Sequence, residues 1–303
     1  MTGYLHPDYA QSLAEFGLPI ELPKSRGWLL QRPIPNSESF DAMGCYPIFC
    51  CQDWTRLHED LDLLRERIVS VSLVTDPFGN YDETLLRSCF DRVIPFKEHF
   101  IVDLSIPIEK LVSKHHRRYA RKALEHAQVE VVDNPASYLD EWTQLYSGLV
   151  RRHNLSGIKA FSRDSFIRQL SIPGLVMMRI VSGSTNQGTL LWFIQNGVAY
   201  AHLMALTEEG YAANAFYGLF WRSIEIFKES FGSRVSFLHL GGTSGLSAGE
   251  AEGMLFFKKG WSSGIRTVWF CASVLQPEKY SALCAQAGVS DTGYFPAYRL
   301  GQF

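Results

Sequence analysis

The sequence predicts an α/β protein built on mixed sheets, and three observations carry that reading. Strand-like and helix-like periodicities alternate along the chain. The turn Gln195-Asn196-Gly197 joins two β-rich runs and supplies the Asn-Gly that a tight antiparallel hairpin favours. A long apolar helix pattern from Phe216 to Phe231 then separates that hairpin from further strand-like runs, an α/β layout with a mixed sheet. With 46% apolar residues in 303, the chain has ample material for a core and a length for one large or two ordinary domains.

The elements follow in order. Trp28 to Arg32 and Tyr46 to Cys51 are apolar enough for strands, with Pro33 and Pro35 breaking the space between them. Asp53 is placed to cap a helix whose apolar residues Trp54, Leu57, Leu61, Leu64 and Ile68 recur at three-to-four spacing. Ile68 to Val74 is β-branched and ends at the turn Asp76-Pro77-Phe78-Gly79. Asp82 to Phe90 reads as a short helix and Phe100 to Leu104 as a strand. Pro107 to His126 reads as one helix with proline at its start, and Val129 to Val132 as a strand. Asn134-Pro135 breaks the pattern and divides the chain into domains 1–134 and 135–303. Beyond it come helices at Tyr138 to His153 and Arg163 to Leu170. Strands follow at Leu175 to Val181, Gly188 to Ile194 and Val198 to Leu206, then the long helix and strands at Val235 to Leu240 and Ile265 to Ala272.

Composition excludes several classes. The formal charge is -2, from 29 basic and 31 acidic residues, so a general nucleic-acid coat, and DNA as a partner, are not expected. The cysteines at 45, 50, 51, 89, 271 and 284 form no C-x-x-C and match neither a zinc site nor a disulfide framework. Adjacent His115 and His116 point about 100° apart on a helix, a poor pair for a metal, and no metal site is expected. The first twenty residues carry Asp8 and Glu15 without a long apolar core, and no window holds a membrane span. The expectation is a cytoplasmic protein.

Chemistry concentrates in two places. The run Leu238-His239-Leu240-Gly241-Gly242 ends a strand in a glycine loop, and Phe256-Phe257-Lys258-Lys259-Gly260-Trp261 follows. Together they can bring backbone N–H groups and an ammonium to one point, which suits a phosphate or a developing oxyanion. Gly242-Thr243-Ser244-Gly245 is not a serine-hydrolase elbow, because Leu246 holds the final glycine position. The second place is a basic helix on which Lys114, Arg117, Arg118 and Arg121 form one stripe, with Lys122 beside it. Such a stripe is either a solvated face or a phosphate-binding one.

In their order and spacing, these features resemble the GNAT acyltransferase superfamily, and more closely its Fem-type aminoacyltransferase branch. The likeness rests on the basic helix Arg117 to Ala123 with Val129-Glu130-Val131, on the run from Ala199-Tyr200 through Tyr217, Trp221 and Glu225, and on the glycine loop leading to Phe257-Lys258. It spans roughly residues 110 to 275. The resemblance implies two GNAT-like units with mixed sheets, the second (135–303) better preserved than a degenerate first (1–134). It implies transfer of an amino acid from aminoacyl-tRNA to an amine of a small molecule, peptide or cell-wall precursor, with the tRNA acceptor end as partner and no tightly bound cofactor. In the Fem branch a Phe-Lys pair sits at the donor ester, and Phe257-Lys258 is the match.

Acyl-CoA relatives hold the pyrophosphate on a glycine-rich turn opening a helix. The corresponding place here reads Glu208-Glu209-Gly210-Tyr211, where two carboxylates would repel it. An acyl-CoA N-acyltransferase is therefore the second enzyme reading, and a non-catalytic binding module with this fold is the third. Within the first, Lys258 stabilises the oxyanion or is an ordinary solvated lysine, and only one of Lys258 and Lys259 faces the donor. His239 is the general-base candidate by type, or a packed histidine; Glu250 and Glu252 are alternatives. Phe257, Lys259, Gly241, Gly242 and Trp261 are assigned to the donor. Tyr200, His202, Tyr211 and Tyr217 line an acceptor pocket or pack in the core. Gly245 and Gly249 serve a ligand or simply turns.

Overall fold

The computed structural model of the chain describes residues 1–243, 248–289 and 293–302, with the side chains of 248–251 left aside. The chain folds as two compact units. One comprises Met1–Gly3 with Lys97–Arg266, the other Tyr4–Phe96 with Thr267–Phe303. This differs from a cut at residue 134. The basic helix and the glycine loop share one unit, and the C-terminal segment returns to the unit begun by the N-terminal one. Asn134-Pro135 marks only the start of a 3-10 turn at Pro135–Tyr138, because a local break in helix propensity carries no information about which strands pair.

The chain runs through helix α1 (Pro7–Ser12), strands β1 (Leu18–Leu22), β2 (Gly27–Pro33) and β3 (Phe40–Gly44), helix α2 (Leu57–Leu64), strand β4 (Ser70–Val74) and helix α3 (Glu83–Cys89). Strand β5 (Arg92–Asp103) leads into the other unit. There follow α4 (Ile108–Leu111), α5 (Lys114–Leu124), β6 (Gln128–Val132), α6 (Leu139–His153), α7 (Arg163–Gln169), β7 (Leu175–Ser182), β8 (Thr185–Gln195) and β9 (Val198–Leu206). After them come α8 (Glu208–Ala212), α9 (Ala215–Ser230), β10 (Phe237–Gly241) and α10 (Ala248–Lys259). Strand β11 (Gly264–Val274) leads back, and α11 (Pro277–Gln286) closes the sequence of helices.

Each unit holds a mixed sheet. In the larger, the strand order is β5-β10-β9-β8-β7-β6, antiparallel except for the parallel pair β9/β10. In the smaller it is β1-β2-β3-β4-β11, antiparallel except for β3/β4. The hairpin β8/β9 turns at Asn196 and Gly197, both at positive φ (49° and 79°), the geometry that lets a two-residue loop follow the strand twist. Helix α9 buries Leu219, Phe220, Ile224 and Phe227 against β7 and β8 in the main core, each such side chain contributing roughly 1.5–3 kcal/mol. The smaller unit has its own core around Leu29, Phe49, Trp54, Leu61 and Val71.

Two sequence expectations are corrected. Residues 46–51 are not a strand: Phe49 makes only an isolated bridge to Thr75, and the strand is Phe40–Gly44 instead. Cys50, Cys51 and Phe49 are buried, but as irregular chain tied down at Phe49, whose N–H donates to the Val74 carbonyl and whose carbonyl accepts from the Asp76 N–H. An apolar run reports burial, not extension. The helix expected from Pro107 to His126 is two. Val112 is extended, and Ser113 starts α5 afresh by accepting from the backbone N–H of His116.

Candidate functional site

The site grows from the end of strand β10. Leu238 and Leu240 point into the main core, so Phe237, His239 and Gly241 face the other way. Strands β9 and β10 pair in parallel over only three positions, ending at His239 opposite Tyr200. On the other side the β10/β5 register shifts between His239 and Gly241, and Gly241 takes a φ of 71°. That bulge turns the Gly241–Gly242 backbone out of the ladder at the point where β9 no longer accompanies it.

Three side chains converge there. Lys258, near the end of α10, donates from Nζ to the Gly242 carbonyl oxygen at 2.6 Å. His99 Nδ1 and His239 Nε2 lie 2.8 Å apart, and the two rings are buried. A Cβ on Gly242 would stand 2.6 Å from His99 Cδ2, so only glycine lets the backbone approach that ring. Tyr200 adds its ring 5.0 Å from that of His239.

The electrostatics follow from burial among cations. Burial, and then Lys97, pull the Lys258 ammonium down to about 8. Burial, then Lys258 and Lys97, push His99 down to about 3. Burial, His99 and Lys258 hold His239 well below its ordinary value. At neutral pH the two imidazoles are therefore neutral, one donating to the other, while Lys258 is largely charged. Among the described residues Lys258 has no carboxylate partner, and its bond to Gly242 uses one of three N–H donors. The arrangement offers a desolvated positive charge beside a neutral pair able to pass a proton.

The expected residues fall into three groups. Lys258, His239, Gly241 and Gly242 come together as the sequence suggested. Lys259 is exposed and points elsewhere. Phe257 and Trp261 belong to the core: Trp261 is fully buried, and the Phe257 carbonyl accepts from His116 Nε2 at 2.9 Å. The four candidates for an acceptor pocket do not assemble as one group. Tyr200 joins His239. His202 hydrogen-bonds with Gln169 Oε1 at 3.1 Å, and burial pushes it down to about 3. Tyr211 lies under the Arg152 guanidinium, 4.1 Å away. Tyr217 packs with Tyr119, Phe257 and Trp261 on the opposite side of the sheet. Tyr211 and Tyr217 sit on helices, which frees them from the two-residue alternation that groups side chains on a strand. Glu252 is exposed, the Glu250 side chain and Gly245 lie outside the described residues, and Gly249 is in α10.

The basic stripe is real as a surface. Lys114, Arg118, Arg121 and Lys122 are exposed, while Arg117 is half-buried and donates to the Glu109 carbonyl at 3.2 Å. A groove of about 460 Å³ beside α5 places Arg117 and Arg121 with Glu109, Glu125 and Trp221.

Two residues escaped the sequence reading. His99 and Lys97 lie on β5, which begins eight residues before the strand expected at Phe100. Their signal was the alternation of Lys97 and His99 with core-facing Phe100 and Val102, hidden by the charged residues between. His116 was read only as a poor metal ligand. It is a buried peg, hydrogen-bonded with Ser113 Oγ at 2.8 Å as well as the Phe257 carbonyl, and seated against Gly260, where a Cβ would lie 2.1 Å from the ring.

No protein-family model matches the chain, and neither does any curated protein sequence. Solved structures do. FemX superposes with a TM-score of 0.65 at 11% identity, covering 91% of this chain and 93% of that one. The C-terminal domain of a putative lysylphosphatidylglycerol synthetase from Agrobacterium fabrum gives 0.60 at 15%, covering 91% and 92%. L-PGS from Bacillus licheniformis gives 0.58 at 13%, covering 96% and 99%. At these identities the likeness is one of fold, and the fold is FemX-like, as the resemblance implied.

Proposed function

We propose that the protein is an acyltransferase that moves an aminoacyl group from aminoacyl-tRNA to an amine, with the reaction at Lys258, Gly242, His99 and His239. The observation that carries this reading is the Lys258 ammonium, desolvated and tied to the glycine-loop carbonyl within a neutral histidine pair's surroundings. The amine nitrogen attacks the ester carbonyl. A C–N bond forms and the carbonyl oxygen takes up negative charge, which Lys258 stabilises through its remaining N–H donors. The C–O bond to the ribose then breaks, and the amine's proton passes to the leaving hydroxyl. Burial makes the imidazole pair weakly basic, so its part in that relay is to pass the proton in concert with C–O cleavage and not to hold it.

The donor assignment draws on the turn after β9. The N–H of Gly210 is taken by Thr207 Oγ1 at 3.0 Å, and a Cβ there would meet the Gln187 carbonyl at 1.9 Å. Glu208 is paired with Arg152 at the mouth of the same turn. A turn packed onto β8, with its donor used and carboxylates at its opening, is ill suited to a CoA pyrophosphate. The acceptor is an amine of a small molecule, peptide or cell-wall precursor, and the tRNA acceptor end is the macromolecular partner.

The test is transfer of label from total tRNA charged with a mixture of labelled amino acids into a ribonuclease-resistant amide product, run in parallel with labelled acetyl-CoA. Transfer from aminoacyl-tRNA that disappears in Lys258→Ala supports the proposal. Transfer from acetyl-CoA alone refutes the donor assignment. Ligand binding without turnover from either donor, equal in the wild type and Lys258→Ala, refutes an enzymatic role.

A further inference from the structure

The exposed face where α5 meets α10 is built in a way that core packing does not require. Lys114, Arg118 and Lys122 recur every fourth residue and form one ridge, about 12 Å long, along the outside of α5. Like charges at that spacing repel, and no ion pair neutralises these three among the described residues. Several exposed arginines elsewhere are paired: Arg56 with Glu59, Arg65 with Asp62, Arg87 with Glu83, Arg163 with Asp140.

Beside the cationic ridge runs an aromatic one. His115 and Tyr119 lie one turn apart with ring centroids 4.5 Å apart, and Arg118 covers the Tyr119 ring at 5.1 Å. Phe256 of α10 meets His115 edge-on at 5.2 Å and leaves 55% of its surface in water. Lys259, exposed and one helical turn from Phe256, adds a further cation.

We infer that this face is a docking platform for single-stranded RNA, with bases stacking on Phe256 and His115 and phosphates held by Lys114, Arg118, Lys122 and Lys259. The inference rests on the aminoacyl-tRNA donor proposed above and names where the strand leading to the ester lies. Parallel ridges of π-faces and cations match the alternation of bases and phosphates in a single strand, and stacking is indifferent to base identity. An anionic bilayer would call for a broader apolar surface to insert. Here Leu255 and Phe256 are the exposed apolar pair, set among polar rings. On α10, Phe256 and Lys258 are two residues apart and point to nearly opposite sides, so the platform holds the approaching strand and not the reacting end.

The experiment is fluorescence anisotropy of the full chain with a labelled single-stranded RNA of about ten nucleotides. Sedimentation with phosphatidylglycerol-containing vesicles runs alongside. Phe256→Ala should weaken RNA binding about tenfold, the loss of one stacked base, while Phe256→Tyr keeps it. Arg118→Ala should lower the slope of log affinity against log salt by about 0.7. Because Phe256 is exposed, the thermal midpoint of Phe256→Ala should match wild type, which separates docking from folding. RNA binding unchanged in Phe256→Ala overturns the platform and leaves the donor assignment standing, since that is scored by the transfer assay. Vesicle binding that needs Phe256, without RNA binding, overturns it in favour of a membrane surface. Absence of both also overturns it.

Discussion

Replacing Lys258 by methionine separates catalysis from stability, because the structure assigns a large effect to the first and a small one to the second. Burial and Lys97 bring the ammonium from an ordinary 10.5 to about 8. That displacement corresponds to about 3 kcal/mol against the charged form at neutral pH. The charge-assisted bond to the Gly242 carbonyl returns roughly 1.5–3 kcal/mol of this. Methionine has similar length and no charge, so the two effects nearly cancel, and the variant should lie within about 1.5 kcal/mol of wild type at pH 7. The transfer rate, in contrast, should fall on the order of 10²–10³ if the ammonium meets the oxyanion. The sign of the pH dependence is also set. Below pH 8 both folded and unfolded chains carry the charge, and the destabilisation is fully present; between about 8 and 10.5 the folded chain sheds its proton first, and the destabilisation fades. Activity needing the charged form should decline through an apparent value of about 8, and Lys258→Arg should move that limb upward. Urea unfolding at pH 7 and 9 gives stability, and single-turnover transfer gives the rate. A loss above about 3 kcal/mol in Lys258→Met would show the lysine to be a structural tie, and a wild-type rate would remove it from the chemistry.

Other consequences follow from the same structure. His99 and His202 are held down to about 3 and His239 well below its ordinary value, so unfolding takes up their protons as pH falls below about 6.5. From pH 7 to 5.5 these three should remove about 4 kcal/mol of stability, and His202→Phe should remove about a third of that slope in urea titrations. Gly242→Ala brings a Cβ to 2.6 Å from His99 and should reduce transfer more than it lowers the unfolding midpoint, with retained activity counting against the site geometry. Gly260→Ala drives a Cβ into the His116 ring and should cost roughly 1–3 kcal/mol, measurable by calorimetry; an unchanged midpoint would mean α10 and α5 part without penalty. Asp41→Ala leaves the buried guanidiniums of Arg32 and Arg299 without their shared carboxylate, and should cost about 3–5 kcal/mol in the smaller unit. A loss below about 1 kcal/mol in denaturant unfolding would show that water reaches them.

What the residues disclose by themselves is what depends on near neighbours. The α9 helix is legible because Phe220, Ile224 and Phe227 recur at helical spacing, and the β8/β9 turn because Asn196-Gly197 suits positive φ. Lys258 and the glycine loop could be paired from sequence because a strand, a loop and a helix return one to the other within about twenty residues, and the resemblance to Fem-type proteins pointed the same way. The cationic stripe on α5 follows from helical periodicity alone. Tertiary structure decided the rest. His99 is 140 residues from His239, and only the antiparallel pairing of β5 with β10 joins them. Whether Trp261 met a donor or a core depended on where α9 lay, and Tyr200 parted from Tyr217 because a strand and a helix sort side chains by different periods. The unit boundary, too, is a matter of which strands share a ladder, and hydrogen bonds between distant segments leave no trace in local composition.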